Sequence, residues 1–259
     1  MRVLATIVSA LCVVSAAGAS FLAPKPDYSG HNGGCRTPQQ GYTGYCINMS
    51  KCTGATFNGL CKGSSNIKCC VAETKATNPK RQWYSYAVFQ QLFNGISNTR
   101  QSAFWPYMNA ALDPLMKDGP NDKQICERLA SFAAQIGHES AGLYYMEELA
   151  SGDAYEGRKD LGNTQPGDGR RFKGRGPLQL TGRYNYNDFG YVNYPERVCF
   201  QSDGFDAATK FWIRGGLNRY CTGKEEDFKT LTRRINGGLN GYADRKQRWD
   251  KARRLLGCH

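Results

Sequence analysis

Carboxylates crowd one stretch of the chain: Glu139, Glu147, Glu148, Asp153, Glu156, Asp160 and Asp168. Two carboxylates facing each other across a sugar are the usual requirement for glycoside hydrolysis, one donating a proton and one activating water. Spacing alone does not say which pair faces. Glu139 stands out because it lies three positions after Ile136 and so extends the apolar stripe Ile125, Leu129, Phe132, Ala133, Ile136. A carboxyl group there is partly desolvated, which favours the protonated form that a general acid needs. The plainer alternatives are a glutamate that caps or pairs at a helix end, and a set of solvated loop acids.

Other chemistries fit less well. A zinc-protease helix needs His-Glu-x-x-His, but His138-Glu139 is followed by Gly142 where the second histidine would stand. With only His31, His138 and His259 in the chain, neither a histidine-built zinc centre nor a Ser-His-Asp triad is expected. No metal and no cofactor are expected. His138 by itself reads as a structural residue. Gly167-Asp168-Gly169 and Gly174-Arg175-Gly176 lack the Gly-Lys-Ser/Thr of a phosphate loop, and close backbone approach to a sugar explains them as well. Arg158, Lys159, Arg170, Arg171, Lys173 and Arg175 make the same loop basic, either as a solvated face or as a contact for an anionic polymer.

The elements that must carry these residues are helical. Tyr84 to Phe93 opens a domain over 82–259. Asp122 is the expected N-cap of a helix ending near Gly137. The 151–176 segment is a glycine-rich connection without periodicity, and a loop that long points to site architecture. Pro177 to Asn187 reads as a turn into a short helix or strand. Phe205 to Ile213 is helical, and Ala243 to Leu256 is a basic amphipathic helix with Trp249, Leu255 and Leu256 inward.

Ahead of this domain, residues 1–19 read as a signal peptide: Arg2, an apolar run over 3–17, and Ala17-Gly18-Ala19 as a small-residue cleavage site. Residues 20–74 form a cysteine-rich module with six cysteines from Cys35 to Cys70, and 75–81 form a polar linker. Ten cysteines remain after cleavage, which allows up to five disulfides in a secreted protein, and no pair has the C-x2-C spacing of a zinc site. Asn48-Met49-Ser50 is a glycosylation sequon. The chain has 259 residues, 40% hydrophobic and 22% charged, a globular balance that excludes wholesale disorder. Past the leader no stretch approaches the roughly 18 apolar residues of a membrane span. The net charge of +12 suggests an anionic partner such as a wall polymer or a membrane surface without choosing among them.

Three blocks in order carry a resemblance. They are Gly137-His138-Glu139-Ser140-Ala141-Gly142-Leu143 with Tyr145-Met146-Glu147-Glu148, then Phe172 to Tyr186 around Gly174-Arg175-Gly176-Pro177-Leu178-Gln179-Leu180-Thr181, and Ile235-Asn236-Gly237-Gly238-Leu239 with Asp244-Arg245. Together they resemble glycoside hydrolase family 19, chitinases and endolysins of mainly α, two-lobed, lysozyme-like fold. The resemblance implies that Glu139 is the general acid and Glu148, nine residues on, the general base, with Glu156 in reserve. Thr181 would position the water, and His138, Gln179, Asn185, Asn236 and Arg245 would line the substrate. It also implies inversion of configuration. The sequence departs from plant members at Asn163-Thr164-Gln165, where they carry a tryptophan, and the loop from Tyr155 to Gly169 looks more like endolysins. The module resembles small cysteine-rich modules attached to secreted wall hydrolases.

The expectation is therefore a secreted, monomeric glycosidase acting on a β-1,4-linked N-acetylhexosamine polymer, without nucleic-acid partner. Loop and charge make peptidoglycan the first choice. Chitin is the alternative, and a non-catalytic cationic wall-binding protein the second.

Overall fold

A computed structural model describes residues 34–37, 43–48, 52, 54–71, 81–119 and 121–258. The expected leader, most of the linker, and Met49-Ser50 of the sequon lie outside the described residues.

The described chain is mainly α. A small sheet comes first, with strands β1 Gly34–Arg36, β2 Thr43–Asn48, β3 Ala55–Phe57 and β4 Ile67–Val71. All pairings are antiparallel, in the order β1-β2-β4-β3, and Cys46 lies opposite Cys69. Disulfides Cys35–Cys69, Cys46–Cys61 and Cys52–Cys70 staple a sheet too small to bury a sufficient core of its own. A fourth bridge, Cys126–Cys258, ties the helical domain, while Cys199 and Cys221 are buried free thiols. The upper limit of five bridges is thus not reached.

Eight α-helices follow among the described residues: α1 Tyr86–Leu92, α2 Asn98–Met116, α3 Asp122–Glu139, α4 Asp168–Arg171, α5 Arg183–Asp188, α6 Gln201–Arg214, α7 Glu225–Asn236 and α8 Tyr242–Leu256. Local chemistry sets the starts. Ser85, Ser97 and Asn121 each accept a hydrogen bond from a first-turn backbone N–H, those of Val88, Arg100 and Gln124. The cap of α3 is therefore Asn121 and not Asp122. The helix also runs past Gly137 to Glu139, because α8 packs along it. Helix α2 holds Pro106 and Pro114, residues that disfavour helix interiors, yet its buried face of Phe104, Tyr107, Met108 and Leu112 carries it through the core. Helix α7 opens on Glu225, Glu226 and Asp227 and closes on Arg233 and Arg234, in line with its dipole.

One core joins sheet and helices. Phe132 meets Trp212 edge-on, Phe228 stacks on Trp249, and Phe57 of β3 touches Phe200. Ala55, Phe57, Cys69 and Val71 belong to the same buried cluster as α2, α3 and α6. The cysteine-rich module is thus packed against the helical domain.

Candidate active site

Helix α3 delivers Glu139 from its last turn, and the chain then reverses. Ser140 Oγ donates to the Ile136 carbonyl at 2.6 Å and accepts from the Leu143 N–H at 2.8 Å. Ala141, Gly142 and Leu143 all have positive φ, of 49°, 73° and 64°. Two non-glycine residues in that region cost about 1–3 kcal/mol each, and full burial of Leu143 holds the turn in place. The turn leads Met146–Glu148 into antiparallel contact with Gly174–Gly176: the Gly176 N–H donates to the Met146 carbonyl and the Glu148 N–H to the Gly174 carbonyl.

Adjacent glutamates then separate by environment. Glu147 is buried in ion pairs with Arg175 at 3.2 Å and Lys173 at 3.3 Å, and it accepts from Asn58 Nδ2 of the module at 3.2 Å. Glu148, equally buried, accepts from neutral donors, the Tyr155 hydroxyl at 2.9 Å and the Gly174 N–H at 3.1 Å. Burial, followed by the charge of Glu148, pushes the Tyr155 phenol well up, so it stays a donor. Asn163, fully buried, fixes that tyrosine by donating to its carbonyl. Glu156 is spent on the loop: its carboxylate accepts the N–H groups of Gly167 and Gly169, both at 2.7 Å.

Gly174 marks where Glu148, Gln179 and Thr181 come together. A Cβ there would lie 2.9 Å from Gln179 Oε1, 3.3 Å from Glu148 Oε2 and 3.4 Å from Thr181 Oγ1. Gln179 has a φ of 49° and donates from Nε2 to the Gly176 carbonyl. The Thr181 hydroxyl donates to the Gln179 carbonyl at 2.8 Å.

Glu139 is held from α8. The Arg245 guanidinium, 1% exposed, donates to Glu139 Oε1 and to Gln135 Oε1, each at 2.5 Å, and from Nε to the Asn240 carbonyl. Gln135 is anchored in turn by Thr232 of α7 at 3.0 Å. His138 Nδ1 pairs with Asp244 Oδ2 at 2.7 Å, and Arg248 donates to the same oxygen. Burial, then the nearby Arg245 charge, hold the imidazole below its ordinary value. Gly241, at φ +67°, passes so close to that ring that any side chain would collide with it.

Asn185 and Asn236 are engaged with protein. Asn185 bridges the Thr181 carbonyl and Arg214, and Asn236 links the Asn240 carbonyl to the Gly238 N–H. Gln135, Tyr155 and Asn163 were missed by sequence reasoning. Gln135 lies four residues before Glu139 on one helix face, a spacing that could have found it; Tyr155 has no comparable signal.

No family model matches the chain. Among curated relatives, an acidic endochitinase of Beta vulgaris is 30% identical over 50% of this chain and 47% of its own length, and chitinase 5 of Oryza sativa is 31% identical over 59% and 57%. The chain thus spans about half the length of these plant relatives. Among solved structures, chitinase C from Streptomyces griseus matches with a TM-score of 0.57 at 21% identity, over 69% of this chain and 94% of that one. A class IV chitinase from Zea mays matches at 0.56 and 22%, over 70% and 96%. These likenesses establish the expected lysozyme-like helical fold. A glycosyl hydrolase family 19 domain protein of Haemophilus influenzae is 30% identical over 45% of this chain and 74% of its own length, and on that match the chain belongs to glycosyl hydrolase family 19.

Proposed function

We propose that the chain is a secreted, inverting endo-glycosidase that hydrolyses β-1,4 linkages of an N-acetylhexosamine polymer, with chitin as its substrate. The observation that carries the reading is the pair of carboxylates held in different ways: Glu139 fixed through one oxygen by Arg245, and Glu148 set beside Thr181 and Gln179 around Gly174. Chitin stands ahead of peptidoglycan because the relatives named above are chitinases. The basic loop and net charge of +12 keep peptidoglycan as the second reading.

In the proposed reaction Glu139 protonates the glycosidic oxygen as the bond to the leaving sugar breaks. Glu148 takes a proton from the attacking water. The Thr181 proton is committed to the Gln179 carbonyl, so its oxygen faces the water as an acceptor. One water proton then points at Glu148 and the other at Thr181, which directs a lone pair toward the anomeric carbon. Attack from the face opposite the leaving group inverts the configuration, and the two carboxyl groups should stand about 6.5–9.5 Å apart with that water between them. Secretion is supported by the four disulfides and the leader-like residues 1–19.

The test pairs two substrates with one stereochemical readout. Soluble chitin oligomers should be cleaved, with the α-anomer appearing first in the proton NMR spectrum of the product. Clearing of a peptidoglycan suspension without oligomer turnover would move the substrate to the second reading. Initial release of the β-anomer would refute inversion.

A further inference from the structure

A cavity of about 260 Å³ lies between the end of α1, the middle of α3 and α8. Its walls carry Arg248, Lys251 and Arg254, with Asn94 and Gln247 as further polar groups and Ala133 among the apolar ones. The three cations follow one another at steps of three along α8, where like charges repel. The one acid in the wall, Asp244, already accepts from both His138 and Arg248. Lys251 donates to the Gln91 carbonyl at 2.5 Å, which uses one of its three donors.

We propose that this cavity is an oxyanion site, built to take a phosphate group, free or as a phosphodiester of an anionic polymer. The charge is concentrated and concave: three cations and two side-chain amides surround a space smaller than the roughly 300–1,000 Å³ of ordinary organic-ligand pockets. That volume suits one tetrahedral oxyanion with its waters. Arg248 and Arg254 offer planar forks and Lys251 a point charge, a combination suited to phosphate oxygens. Burial, then the fields of Arg248 and Arg254, hold the Lys251 ammonium below its ordinary value, in keeping with positive charge that an anion would relieve. Ala133 lines this cavity, and α3 turns Gln135 and Glu139 to its other side. The wall shares Asp244 and Arg248 with the His138 contact, but neither Glu139 nor Glu148 lines it, so the proposal does not depend on the proposed reaction.

The experiment is a titration of the full-length protein with inorganic phosphate, followed by calorimetry and by Tm, against sodium chloride at matched ionic strength. Saturable binding with a rise in Tm beyond the chloride control is expected. Lys251→Gln combined with Arg254→Gln should weaken phosphate binding at least tenfold, leave turnover of uncharged sugar oligomers unchanged, and retain the wild-type Tm without phosphate. Lys117→Gln, which removes an exposed cation outside the cavity, should bind as the wild type does. A polymer of glycerol phosphate that displaces phosphate from the wild type, but binds the double variant tenfold more weakly, would identify the polymer as the source; failure to displace would identify free phosphate. A phosphate response equal to that of chloride, or unchanged in the double variant, would overturn the proposal.

Discussion

At the scale of single residues, environment divides similar side chains. Glu147 and Glu148 are neighbours in the chain and equally buried, yet one closes an ion pair with Arg175 and the other accepts only from neutral donors. Glu147→Gln should therefore act on stability, since it leaves Arg175 buried without its acid; a loss of about 3–5 kcal/mol in denaturant unfolding is expected. Tyr155→Phe removes one of the two donors on Glu148 and should lower kcat about tenfold with little change in KM, alongside about 1–2 kcal/mol of stability. Arg245→Lys replaces a fork that grips Gln135 and Glu139 together by a single ammonium, and steady-state kinetics should show kcat down by about 10²-fold. The place of Glu139 at the end of an apolar helical stripe was legible from periodicity, while its role as the acid belongs to the proposed reaction. The different environments of Glu147, Glu148 and Glu156 were not legible, because they depend on Arg175, Tyr155, Gly167 and Gly169, which only the folded loop brings near.

At the scale of elements, the turn after α3 and the contact of α3 with α8 do the positioning. His138 and Asp244 lie at that contact and make it sensitive to acid. The folded protein holds His138 below its ordinary value of 6.5, so between the two values the unfolded chain binds more protons and acidification favours unfolding. Burial opposes ionisation of Asp244, but the hydrogen bonds from Arg248 and His138 outweigh it and hold its carboxyl below 3.8. Its contribution is fully present above 3.8 and is lost as the pH falls through the depressed value. Tm should thus decline first as the pH drops below 6.5 and again under strongly acidic conditions, and the first decline should be absent in His138→Asn. The amphipathic pattern of α8 was readable almost to its ends. Helix α2 was hidden because Pro106 and Pro114 argue against a helix locally, while tertiary burial of its apolar face overrides them.

At the scale of the whole molecule, a cysteine count suggested separate parts, and packing joins them. Phe57 and Val71 of the sheet share a core with the helices, and Asn58 reaches Glu147 beside the proposed base. Cys126–Cys258 closes a loop of 132 residues between the start of α3 and the end of α8, so Cys126→Ala with Cys258→Ala should cost about 3–5 kcal/mol in thermal or denaturant unfolding. Among the described residues no helix is long and apolar enough to cross a membrane. On this frame Glu139 and Glu148 are the groups proposed to perform the hydrolysis together. The most direct test of that pairing is the turnover of soluble chitin oligomers by folded Glu139→Gln, Glu148→Gln and Glu156→Gln variants. The first two should lose about 10²–10⁴-fold in kcat, while Glu156→Gln should stay within a few-fold of wild type. Near wild-type turnover by Glu148→Gln, or collapse of turnover in Glu156→Gln with its fold intact, would contradict the pairing.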